Sequence, residues 1–205
     1  MGSVKKENSV LPFVNLYRKL LKSYSLHCIK NYIKIGGIMK KYRTLLIALL
    51  LFIGFDQWTK YLAVTHLKGT AGIPIIKDIF HLQYLENHGV AFGMFEGQIW
   101  FFLPVTIVIA MIMIFLYSKI PVTKRYIPLR ICIVLITAGA FGNMIDRFRY
   151  QYVVDFLYFK LINFPIFNIA DCYVVIAVIL FVFLILFYYK EEELDANIVI
   201  FPKKK

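Results

Sequence analysis

The sequence predicts an all-α membrane protein, with four transmembrane helices carrying a small extracytoplasmic platform that contains β-structure. Three observations predict it. Of 205 residues, 60% are hydrophobic and only 18% are charged, and the mean hydropathy is +0.69. Three long runs carry no charge: Ile99–Tyr117, Ile131–Ile145 and Cys172–Tyr189. The net charge of +12 is segregated along the chain rather than spread over it.

A bilayer core of about 30 Å takes about 20 apolar residues of helix. The first and third runs match that length directly. The second matches once Leu129 and the snorkelling side chains Arg130 and Arg147 are added. The remaining span, first in chain order, is Thr44–Val64, apolar except for Asp56 and Lys60. It is not expected to be a cleaved secretory signal: about 43 residues precede it, and "DQWTK" follows "TLLIALLLFIGF" where a small-residue cleavage site would stand.

Lys40, Lys41 and Arg43 precede the first span. Lys119, Lys124, Arg125 and Arg130 lie between the second and third, and Lys190 and Lys203–Lys205 follow the fourth. Loops 65–98 and 146–170 are nearly balanced in charge. The positive-inside rule therefore puts both termini in the cytoplasm and these two loops on the outer face. The basic excess reads as a topology signal and not as a nucleic-acid site.

Residues 1–38 form a basic N-terminal extension, 39–190 the four-helix domain and 191–205 a cytoplasmic tail. In the extension, Val14, Tyr17, Leu21, Tyr24 and Cys28 fall at helical spacing among basic residues. A tail, a helix lying on an anionic leaflet, and a stretch ahead of a true start at Met39 all stay open, and Gly36–Gly37 suggests a break. In loop 65–98, "IFHLQYLE" alternates as strands do, and Gly89 and Gly93 mark turns or close approach. In loop 146–170, Pro165 favours extended backbone before it.

Residue chemistry narrows the functions. The five serines are cytoplasmic under this topology, which excludes serine catalysis on the outer face. There is no HExxH, the four histidines are not at zinc spacing, and no Gly-rich phosphate loop with a lysine occurs. Cys28, Cys132 and Cys172 are scattered and read as small packing residues. No metal or cofactor is implied.

What remains are four acids near the membrane: Asp56, Asp146, Asp155 and Asp171. Acids at membrane depth need a reason. Asp56 and Lys60 stand four apart on one helix and can pair. Asp146 can pair with Arg147 or with loop groups. Asn168 suits a helix N-cap, which puts Asp171 at N3. Asp155, in "VVDFLYF", has the fewest structural explanations. Two carboxylates in reach of one another share a proton, so one can serve as general base and the other as acid. Spacing leaves both Asp155–Asp171 and Asp146–Asp171 open as the pair. It also leaves open a non-enzymatic proton-coupled carrier or small membrane-binding protein.

Five stretches then stand in order along the four spans: "DQWTK" (56–60), "NHGVAFG" (87–93), "GNMIDR" (142–147), "VVDF" (153–156) and "FNIAD" (167–171). In these the chain from Met39 resembles the prolipoprotein signal peptidases, the type II signal peptidases of bacteria. The resemblance implies an aspartic endopeptidase that removes the signal peptide just before a diacylglyceryl-modified cysteine, in the bacterial cytoplasmic membrane, with its site at the outer face. It implies Asp155 and Asp171 as the catalytic pair. Asn87, Asn143, Asp146, Arg147, Asn168, Asp56 and Lys60 are expected to bind substrate or support the pair. The expected partners are a lipid-modified prolipoprotein and membrane lipids, and the chain is expected to be a monomer. Val90 departs from the family pattern, which usually has a smaller residue there.

Overall fold

The structure is a computed structural model, and it describes residues 11–89, 99–190 and 193. Val90, Gly93, residues 1–10 and the tail apart from Glu193 lie outside the described residues. The chain divides into two units, Met1–Thr44 and Leu45–Lys205. In the first unit the described backbone is helical from Leu11 onward, and the helix passes through Gly36–Gly37 without a break. This differs from the interruption that the glycine pair suggests; two adjacent glycines weaken a helix without ending it.

The second unit holds the rest. Helix α1 (Leu11–Leu67) ends within it and leads into strands β1 (Ile73–Ile76) and β2 (Phe80–Asn87). Helix α2 (Ile99–Lys119) follows, then α3 (Ile127–Tyr150), strand β3 (Val153–Phe159) and α4 (Ile169–Phe183), whose last turn widens into a π-turn over Leu184–Tyr188. Pro128 sits in the first turn of α3, where its missing N–H costs nothing. Gln151, in the left-handed region at φ 66°, closes α3 by donating its N–H to Arg147 O at 3.1 Å.

Two of these helical stretches are long and apolar enough to cross a membrane, Lys124–Tyr150 and Ile169–Tyr188. The described apolar part of α2, Leu103–Lys119, is shorter. The core between the helices is built by all four, with Leu45 of α1, Tyr117 of α2, Cys132, Leu135 and Ala138 of α3, and Tyr173 and Ala177 of α4 buried in it. Large apolar side chains of α2 and α4, among them Met111, Phe115, Val175 and Ile179, face outward. That inversion suits a lipid solvent.

The three strands form one antiparallel sheet in the order β1-β2-β3. The alternation in "IFHLQYLE" is realised as β2. The platform nevertheless differs from expectation, because its third strand comes from loop 146–170. The sequence "VVDFLYF" shows no alternation, since both faces of β3 are covered at its start: Val153, Val154, Asp155 and Phe156 are all buried. Val154 and Phe156 pack with Ala63 and Leu67 at the end of α1. The opposite edge of β3 is met by the returning chain. Phe167 N donates to Leu157 O at 3.0 Å, and Phe167 O accepts from Leu157 N at 2.8 Å and from Phe156 N at 3.0 Å. This pairing brings residue 168 back beside residue 155.

Candidate active site

Asn168 ends that returning strand and starts α4. It is extended, at φ −133° and ψ −177°, as an N-cap requires. Its Oδ1 accepts from Asp171 N at 3.0 Å, while Asp171 Oδ2 accepts from Asn168 N at 3.1 Å. This reciprocal capping box satisfies two donors at the helix start. A third, Ala170 N, donates to Asp56 Oδ1 of α1 at 2.9 Å. The N-terminus of α4 is thus held by its own cap and by a neighbouring helix.

Asp155 and Asp171 meet around Asn168. Asn168 Nδ2 donates to Asp155 Oδ1 at 2.6 Å, and the other oxygen of Asp155 accepts from Asn87 Nδ2 at 2.8 Å. The Asn87 amide is turned that way because its Oδ1 accepts from Gly89 N at 3.0 Å. The free oxygen lone pairs of Asp171 are engaged by Asn143 Nδ2, 2.8 Å from Oδ1. Both carboxylates line one cavity of about 890 Å³. Its other walls are mainly apolar, with Leu85, Phe159, Pro165, Val175 and Ile176 among them. Burial, together with the charge of Asp171, pushes the Asp155 carboxyl up to about 7, against the pull of the Asn87 and Asn168 amides.

Behind this pair lies a second polar knot. Lys60, 3% exposed, reaches Asp56 Oδ2 at 3.0 Å, Asp146 Oδ2 at 2.9 Å and Asn143 Oδ1 at 2.9 Å. Its three N–H bonds thus meet three acceptors from α1 and α3. Asp146 also accepts from Val154 N of β3 at 3.2 Å. Gln57 donates to Asp146 Oδ1 at 2.8 Å and to Gly142 O at 3.1 Å. Glycine is needed at 142, since a Cβ there would stand 2.5 Å from Asp56 Oδ2. Gly139 serves the same end on the α4 side, where a Cβ would meet Ala170 O at 2.5 Å.

Each of the nine site residues expected from the resemblance falls in one of these two clusters or on the cavity wall. Asn87, Asn168 and Asn143 touch the carboxylates of Asp155 and Asp171. Asp56, Lys60 and Asp146 form the knot. Asp146 pairs with Lys60 and Gln57 and does not join Asp171. Arg147 lines the cavity and donates to Gly89 O at 3.4 Å, tying α3 to the end of β2. Sequence reasoning passed over Gln57. Its signal was present: an amide directly after Asp56, in a segment expected to lie in the membrane.

Two carboxylates sharing an apolar cavity, Asp155 buried and Asp171 half-buried, the former with raised proton affinity, can exchange a proton with a water and an amide between them. The comparisons with known proteins point to the same chemistry. Residues 47–187 match the family described as Signal peptidase (SPase) II. The lipoprotein signal peptidase of Caldanaerobacter subterraneus subsp. tengcongensis is 41% identical over 143 residues, covering 69% of this chain and 95% of that protein. That of Clostridium tetani is 43% identical over 150 residues, covering 72% and 93%. A solved structure described as a bacterial membrane enzyme superposes with a TM-score of 0.63 at 32% identity, over 72% of this chain and 92% of that one.

Proposed function

The chain belongs to the signal peptidase II family, and from that premise we propose that Asp155 and Asp171 are the catalytic pair with which it removes the signal peptide from lipid-modified prolipoproteins. It is an aspartic protease of the bacterial membrane. Family membership displaces the carrier reading. The observation that carries the assignment is the placement of Asp155 and Asp171 on one cavity wall, bridged by Asn168. Asp146, the rival partner, is taken up by Lys60.

The mechanism needs no covalent intermediate. One carboxylate takes a proton from a water as the water oxygen bonds to the scissile carbonyl carbon. The other, protonated, gives its proton to the carbonyl oxygen. Proton return to the amide nitrogen then releases the signal peptide as the C–N bond breaks. Asn87 and Asn168 hold Asp155 and have the donors and acceptors to hold a substrate backbone. Arg147 is the cationic group of the cavity wall, suited to a substrate carbonyl or a lipid phosphate.

The chain crosses the membrane four times, with both termini in the cytoplasm and the cavity at the outer boundary. The distribution of basic residues and the outward apolar faces of α2 and α4 support this. The substrate's signal helix lies in the bilayer, and its acyl chains stay in lipid beside the apolar wall. In this reading the chain acts as a monomer.

The test is a cleavage assay with purified protein in lipid and a diacylglyceryl-modified precursor peptide, read by mass. Wild type should cut just before the modified cysteine, and Asp155→Asn and Asp171→Asn should not. Cleavage surviving in either variant would move the catalytic pair elsewhere.

A further inference from the structure

The two carboxylates are not equivalently surrounded, and the difference assigns their roles. Asp171 stands at N3 of α4, where the exposed N–H groups of the first turn favour negative charge. One of its oxygens accepts a backbone N–H from Asn168, a donor fixed by the capping box. The other accepts from Asn143, whose own Oδ1 accepts from the buried Lys60 ammonium. A cation therefore polarises the amide that holds Asp171, a charge-assisted chain running Lys60–Asn143–Asp171. Asp155 lies on a strand and meets the start of α4 only through the side chain of its N-cap, Asn168, not through a backbone N–H of the helix. It is 1% exposed, and its two donors are the neutral side-chain amides of Asn87 and Asn168.

Resting on the catalytic pair proposed above, we infer that Asp171 is the ionised member that activates water, that Asp155 carries the shared proton and protonates the scissile carbonyl, and that Lys60 acts through Asn143 as a positioning residue that sets this polarity. In the first step the water proton goes to Asp171, the water oxygen bonds to the carbonyl carbon, and the Asp155 proton passes to the carbonyl oxygen. In the second, Asp171 returns its proton to the nitrogen, Asp155 takes one back from a hydroxyl of the gem-diol, and the C–N bond breaks. The pair ends as it began. The raised proton affinity of Asp155 agrees with this order. Among the described residues, the other charged or titratable groups around the pair are Asp56, Asp146, Arg147 and Cys172; the Arg147 guanidinium interacts electrostatically with both members, Asp171 more than Asp155. Asp56 and Asp146 are both ion-paired to Lys60. On β2, Glu86 is engaged with Lys68 at 2.7 Å.

The test uses the full chain in lipid, labelled with 13C at the aspartate carboxyl carbon and titrated by NMR. Asp155→Asn and Asp171→Asn assign the two resonances. At pH 6 the resonance lost in Asp155→Asn should sit at the protonated position, and the one lost in Asp171→Asn at the carboxylate position. Reversed positions, or two resonances moving together, overturn the assignment. Asn143→Ala supplies a second readout. The acid limb of its kcat/KM profile should move to higher pH, because the anion loses its polarised donor. A uniform loss of kcat/KM with no movement of the limb would reduce Lys60 and Asn143 to a structural role. The cleavage assay on the same aspartate variants separates the outcomes. If either variant cleaves, the pair itself is wrong; if neither cleaves and the resonances are reversed, only the roles are.

Discussion

This protein holds two pairs of aspartates close together, and it surrounds them in opposite ways. Asp56 and Asp146 are 0% and 1% exposed and clamp a lysine between them. Asp155 is as deeply buried, yet it and Asp171 face a cavity and are held by amides. In the first pair a cation and two backbone N–H groups, Ala170 N and Val154 N, leave little for a proton to do. In the second, the bonds to the carboxylates come from amides, and the two charges oppose each other, with Arg147 on the same cavity wall. Burial alone does not make an acid reactive; what decides is how fully its charge is answered by the groups bonded to it.

The largest effect that would break this contrast is on catalysis. Asp155→Asn or Asp171→Asn should cut the rate of precursor cleavage by about 10²–10⁴-fold or more while the protein still folds. Next is Lys60→Met, which strands two buried carboxylates. A loss of about 3–5 kcal/mol, or failure to accumulate folded protein, is expected by thermal unfolding in detergent. An unchanged melting temperature would show that the knot is not what holds α1, α3 and α4 together. Gly142→Ala drives a methyl into Asp56 and should cost about 1–3 kcal/mol in the same measurement.

A smaller effect distinguishes the pairs by pH. The folded state keeps a proton on Asp155 up to about 7, whereas the unfolded chain releases it near 3.8. Between those values the folded state binds more protons than the unfolded state, so this group's contribution to stability falls as pH rises and is flat above about 7. Unfolding curves of Asp155→Asn should lack that component; an identical slope in the variant would count against the raised proton affinity. The smallest effect belongs to the sheet surface. Lys160 and Asp78 pair at 3.0 Å but are 45% and 67% exposed, and Lys160→Ala should change stability by about 1 kcal/mol or less.

How much of this was legible in the sequence depends on the range of the contact. The Asp56–Lys60 pair follows from a four-residue spacing, and the Asn168–Asp171 cap from a three-residue one, so both could be read directly. The meeting of Asp155 with Asp171 could not. It depends on Phe167 pairing with Leu157 across a turn, and spacing alone left Asp146 as the nearest rival partner. Strand β3 was hidden for a related reason: covered on both faces, it shows no period. Gln57 was missed because its amide acts over a long sequence distance, on Gly142 and Asp146.

The one-turn spacing of Asp56 and Lys60 also bears on how the chain is made. In the four-span topology proposed above, α1 leaves the ribosome before Asp146, Asn143 and Ala170 exist to receive it. A lone aspartate or lysine at mid-helix costs roughly 2.5–3.5 kcal/mol on insertion. Within α1, however, each of these residues meets the other at 3.0 Å, so the helix can enter the bilayer carrying its own counter-ion. When α3 and α4 arrive, the same two side chains turn from a local pair into the fastening of three helices, and the ion pair that eased translocation becomes the joint on which assembly closes.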